Sequence, residues 1–127
     1  MKKVMIVDDN RTMVSLLRTL FELQGYEVLT ALDRDTLLSN LRSERPEVVL
    51  MDVFLSGLDG LDLLRQIRAE QDLAGVRVIM TSGMDLSESC LRAGADAFLL
   101  KPYSPDKLFE MVERNLPPEG AAAREGA

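Results

Sequence analysis

Asp8, Asp9, Asp52, Ser82 and Lys101 each follow a short apolar run. Val4–Val7 leads into Asp8-Asp9, Val48–Met51 into Asp52, Val78–Met80 into Thr81-Ser82, and Phe98–Leu100 into Lys101. Three carboxylates, a hydroxyl and an ammonium form a set suited to charged oxygen chemistry. Like charges held close raise one another's pKa or demand a cation. Oxygen donors suit a hard divalent ion, and magnesium favours a few carboxylates supplemented by phosphate oxygens. Such an ion neutralises charge on a phosphoryl group in transfer, and a carboxylate nucleophile can form an aspartyl-phosphate. This chemistry requires that the five residues meet.

The elements that would bring them together are legible in the hydropathy pattern. The apolar runs are continuous rather than alternating, as in parallel strands covered on both faces. Tyr26–Ala31 is a further, less apolar strand, placed at an edge. Helix-period stretches lie between the strands. Met13, Leu16, Leu17, Leu20 and Phe21 share one face, with Gly25 placed to end that helix. Leu37, Leu38 and Leu41 form a second stripe closed by Pro46, and Leu61, Leu64 and Ile67 follow Asp59 as a third. Ser104-Pro105 reads as an N-cap and first helical position ahead of Leu108, Met111 and Val112.

Strand and helix alternate throughout, which argues for a doubly wound five-stranded parallel α/β sheet of order 2-1-3-4-5 with helices on both faces. Parallel strands point the same way, so the polar groups gather along the carboxyl edge. The order reverses between the strands ending at Asp9 and Asp52, where ligands bind in open α/β sheets. Three carboxylates are therefore expected to share one crevice, with Lys101 and Ser82 beside them.

Blander roles compete at each position. Asp8 or Asp9 could cap the first helix, Lys101 could be a solvated lysine, Thr81 rivals Ser82, and Phe98 could be a core aromatic. Cys90 reads as a packing residue.

The sequence bounds the remaining possibilities. Its 127 residues fit one domain, assigned to residues 1–116, and the Pro/Gly/Ala-rich stretch 117–127 reads as a flexible tail or linker stump. Histidine is absent, which removes Ser-His and Cys-His pairs and the commonest zinc ligand. A net charge of −6 without a basic stripe argues against direct nucleic-acid binding. No apolar run reaches the roughly 18 residues of a membrane span, so no membrane insertion is expected. The single cysteine points to a reducing, cytoplasmic setting.

The acid pair at Asp8-Asp9, the strand-end Asp52, Asp59-Gly60, Ser82 thirty residues after Asp52, Ala93-Gly94-Ala95, Phe98 and Lys101-Pro102 occur in order. In these features the sequence resembles the receiver domains of two-component response regulators, chemotaxis regulators among them, from about Lys2 to Leu116. The resemblance implies a flavodoxin-like fold and a phosphorelay switch in which Asp52 accepts the phosphoryl group. It implies magnesium bound by Asp9, Asp52 and the backbone carbonyl of Phe54, with Asp8 orienting the ion's water. Ser82 would contact the phosphoryl oxygens, Lys101 would pair with that group across a cis Lys101-Pro102 bond, and Phe98 would change rotamer with Ser82. The implied partners are a histidine kinase or phosphotransfer protein and a downstream protein target. The chain would be a monomer or weak dimer and catalyse only its own phosphorylation and dephosphorylation.

The chain departs from the family pattern in three places. Ser56 stands where proline is usual, so a less rigid loop over Phe54–Leu58 is expected. Phe54 and Met84 are apolar where polar groups often lie near the attacking water, so a long-lived aspartyl-phosphate is expected. The segment from Ser82 to Ala93 is about one helical turn short, leaving a stunted fourth helix over Leu86–Arg92.

The alternative within the same fold is a pseudo-receiver interaction module that is never phosphorylated. A haloacid-dehalogenase-type phosphatase would need a second aspartate two residues after Asp52, where Phe54 stands. Neither G-x-G-x-x-G nor G-x-x-x-x-G-K-[ST] occurs.

Overall fold

The computed structural model describes residues 2–117. The chain runs β1 (Lys3–Val7), α1 (Arg11–Leu23), β2 (Glu27–Thr30), α2 (Arg34–Glu44), β3 (Val48–Asp52), β4 (Phe54–Leu55), β5 (Leu58–Asp59), α3 (Gly60–Ala69), β6 (Val78–Ser82), α4 (Ser87–Arg92), β7 (Ala97–Leu100) and α5 (Pro105–Arg114). Five strands form one parallel sheet in the order β2-β1-β3-β6-β7. This is the expected 2-1-3-4-5 order, with β4 and β5 set apart as a small antiparallel hairpin that the hydropathy pattern did not show. A pair of two-residue strands is too short to carry a period.

The continuous apolar runs are explained by burial on both sides. Val4, Ile6, Val48, Leu50, Ile79 and Leu99 face one cluster with Leu17 and Phe21 of α1 and Leu108 and Val112 of α5. Met5, Val7, Val49, Met51, Val78 and Met80 face the other, with α2, α3 and Cys90 of α4. Alternate residues thus feed opposite layers. Phe21 also meets Tyr26 and Phe109 edge-on, each with ring centroids 5.3 Å apart.

The helix ends follow local chemistry. Gly25 has φ 87 and lies just beyond α1, where the left-handed conformation reverses the chain. Ser104 Oγ accepts the Lys107 N–H at the start of α5, and Pro105 opens that helix as expected. Neither Asp8 nor Asp9 caps α1: Asn10 does, its side-chain oxygen accepting the Met13 N–H. The capping role is therefore corrected to Asn10, which leaves both acids for other contacts. Helix α4 is the stunted one, six residues long, and Leu86 at its N-cap offers no side-chain cap, although the Asp85 carboxylate accepts the Ser87 N–H. The tail expected from 117 onward lies, beyond Pro117, outside the described residues.

Candidate functional site

Asp8, Asp52 and Lys101 meet at the carboxyl edge. Lys101 Nζ donates to Asp8 Oδ2 at 2.9 Å and to Asp52 Oδ2 at 3.3 Å. Parallel pairing accounts for the meeting: β1 and β3 are adjacent and end together, with Val7 beside Met51, so the next residue of each lies at the same level. Lys101 follows β7, two strands away from β3, and its long side chain crosses the intervening β6. Asp8 is buried, and Asp52 and Lys101 are half-buried.

Electrostatics follow from that burial. Desolvation pushes the Asp52 carboxyl above its ordinary value, as does the charge of Asp8, while the Lys101 charge opposes both. For Lys101, burial works against the ammonium. The Asp8 hydrogen bond and the two carboxylate charges outweigh it and leave the pKa raised. Two acids and one base leave a single negative charge in excess.

Asp9 does not join this group. Its Oδ2 accepts the Ser56 N–H at 2.6 Å, across 47 residues of sequence. The Ser56 hydroxyl and then its backbone N–H hold the Asp9 carboxyl below its ordinary range. The expected three-carboxylate crevice is thus a two-carboxylate one with a third acid turned to the hairpin. Among the described residues no group of three or more Asp, Glu, Cys or His side chains is poised around one ion. The donor chemistry still fits a hard cation: the facing oxygens of Asp8 and Asp52 converge on one point and carry charge in excess of Lys101.

The other expected residues surround this centre. Ser82 is buried, its Oγ accepts the Met84 N–H at 3.1 Å, and its carbonyl accepts the Lys101 N–H at 2.8 Å, which joins the ends of β6 and β7. Thr81 is buried too, opposite Asp52 in the strand register. Phe98 is half-buried against the α2–α3–α4 cluster. The Lys101-Pro102 peptide is cis. Phe54 and Met84 are exposed large apolar side chains.

Gly60 fixes the loop after the phosphoacceptor candidate. A Cβ there would stand 2.3 Å from the Asp52 carbonyl oxygen and 2.9 Å from the Val53 Cα, so any side chain would displace the site backbone. Its N–H bonds the Val53 carbonyl at 2.8 Å, and Asp59 caps the following helix through the Leu61 N–H.

Two neighbours escaped the sequence reading. Burial, then the charges of Asp8 and Asp52, push the Tyr103 phenol up to about 12, so it stays neutral. Ser56 was noted only for not being proline; that its N–H reaches Asp9 depends on the hairpin's shape, which no local pattern announced.

Comparison with known proteins agrees with this fold. The sequence profile described as the response regulator receiver domain matches residues 4–113. The chain is 31% identical over 113 residues to the alkaline phosphatase synthesis transcriptional regulatory protein PhoP of Bacillus subtilis, covering 88% of this chain and 47% of that protein. It spans about half the length of the curated relatives it matches. Among solved structures, the receiver domain of a Pseudomonas aeruginosa sensor histidine kinase, with magnesium coordinated in its active-site cleft, is similar at TM-score 0.80 and 26% identity. That match covers 90% of this chain and 96% of the other. The Vibrio cholerae chemotaxis protein CheY4 is similar at TM-score 0.82 and 26% identity, covering 91% and 99%.

Proposed function

Because this chain belongs to the response regulator receiver family, we propose that it is a phosphorylation switch whose phosphoacceptor is Asp52. The observation that carries the reading is the Lys101 ammonium held by Asp8 and Asp52 together, a charged centre at the edge where open α/β sheets bind ligands. A phosphorelay partner, a histidine kinase or phosphotransfer protein, would supply the phosphoryl group. An Asp52 carboxylate oxygen attacks phosphorus, the bond from phosphorus to the donor's imidazole nitrogen breaks, and that nitrogen leaves with the electron pair. Lys101 then turns from the free carboxylate to the phosphoryl oxygens, and the Ser82 hydroxyl donates to them.

Asp8, Asp9, Asp52 and the Phe54 carbonyl are the residues that would hold magnesium. When bound, the ion would supply positive charge against the phosphoryl oxygens. The magnesium in the active-site cleft of the Pseudomonas aeruginosa domain supports the choice of ion. Ser82 and Phe98 would carry the change outward to a protein target, since a net charge of −6 disfavours direct nucleic-acid contact by this chain. Among the described residues no helix is long and apolar enough to cross a membrane, and we place the switch in the cytoplasm as a monomer or weak dimer. Phe54 and Met84 offer an attacking water no side-chain partner, so the aspartyl-phosphate is long-lived.

Incubation with acetyl phosphate and magnesium, followed by intact mass measurement, tests this reading. The parent gains one phosphoryl group and Asp52→Asn does not; the adduct decays over minutes or longer after donor removal. A parent that never gains the mass is a binding module of the same fold instead. Decay within seconds in the purified protein contradicts the role given to Phe54 and Met84.

A further inference from the structure

Ser56 lies in the two-residue turn of the β4–β5 hairpin, between the paired Leu55 and Leu58. Gly57 has φ 73, while Ser56 is not among the residues of positive φ. This is the pattern of a type II turn, with Ser56 at its second position. The N–H at that position faces outward from the turn, and here it meets the Asp9 carboxylate. The base of the hairpin is anchored separately, through Gly60 N–H to the Val53 carbonyl and Asp59 to the Leu61 N–H. Its tip is therefore tied to the site through Asp9, while its base holds without that tie.

We propose that Ser56 is a positioning residue: it holds the Asp9 carboxylate on the hairpin tip, so that magnesium and the Ser56 N–H compete for the same oxygen. This rests on the phosphorylation-switch reading. Asp8 and Asp52 already converge beside Lys101, and recruitment of Asp9 is the added step. Ion binding draws Asp9 from Ser56 and frees the tip, which couples metal loading to the shape of the loop beside the phosphoacceptor.

Proline suits the second position of a type II turn, and the extended Leu55 is compatible with a following proline. Ser56→Pro therefore removes the N–H and the hydroxyl while preserving the turn. In NMR titrations of the full chain with magnesium chloride, Ser56→Pro binds roughly three- to tenfold more tightly than the parent, as expected for loss of one exposed charge-assisted hydrogen bond. Ser56→Ala keeps the N–H and falls between them, and Ser56→Thr keeps both donors and matches the parent. Hydrogen exchange needs no variant: the Ser56 amide of the parent is protected without the ion and exchanges faster with it. Equal or weaker binding by Ser56→Pro, or an amide equally protected in both states, overturns the proposal and leaves the switch reading intact. No magnesium binding by the parent, or binding unchanged in Asp52→Asn, overturns the switch reading and this proposal with it.

Discussion

Lys101 and Arg68 are both partly buried cations that tie distant segments together, at opposite ends of the same two strands. Lys101, beyond the carboxyl end of β7, meets two carboxylates. Arg68 of α3 donates to the carbonyls of Gly94 at 2.8 Å, Ala74 at 3.0 Å and Val76 at 2.6 Å, and pairs with Asp96 at 3.0 Å. Asp96 Oδ2 also accepts the Val78 N–H at 2.8 Å, so this group secures the approaches to β6 and β7. Its partners are mostly backbone carbonyls, which are neutral and fixed. At Lys101 the partners are two side-chain acids that exceed it in charge, and burial resists the ionisation of Asp52. One arrangement is a structural clamp; the other is an electrostatic centre that can accept a further ligand.

Substitution separates the two. Arg68→Ala leaves several carbonyls and Asp96 without their charged donor, and urea denaturation should show a loss of about 2–4 kcal/mol. The folded fraction should still accept a phosphoryl group; loss of phosphorylation in that fraction would erase the distinction. Lys101→Ala leaves Asp8 and Asp52 facing one another and should cost about 1–2 kcal/mol at neutral pH. Magnesium should restore more of its stability than it adds to the parent or to Arg68→Ala, because only in Lys101→Ala is the missing charge at the ion's own site. Phosphoryl transfer to Lys101→Ala should also slow roughly tenfold or more.

The smallest effect has the opposite sign. Burial raises the Asp52 pKa, so folding favours its protonated form. Below the ordinary carboxylate pKa the group is neutral in both folded and unfolded chains and carries no penalty. As pH rises through the raised folded value, the unfolded chain ionises more readily and stability is lost. Asp52→Asn should therefore stabilise the protein slightly at neutral pH, and the gain should vanish in acid. A constant gain across the titration would show that the charge on Asp52 is not its source.

The sheet was legible because its signals are local. Apolar runs covered on both faces, a polar group at each strand end and short connections leave few arrangements, and the observed strand order is the expected one. The same logic brought Asp8, Asp52 and Lys101 to one edge. It failed for Asp9, which strand-end placement alone put in the crevice, and it passed over Arg68, whose sequence neighbours gave no sign of the carbonyls it would meet.

Residue order and hydropathy by themselves determined which acids stand at the strand ends and which strands lie side by side, because burial of apolar runs and chain connectivity act over whole elements. Tertiary structure alone decided which oxygen each donor takes: Ser56 to Asp9 across 47 residues, Arg68 to Gly94 across 26, Lys101 to Asp8 across 93. Hydrogen bonds weaken steeply with small errors in distance and angle, and those quantities exist only once the distant segments have packed.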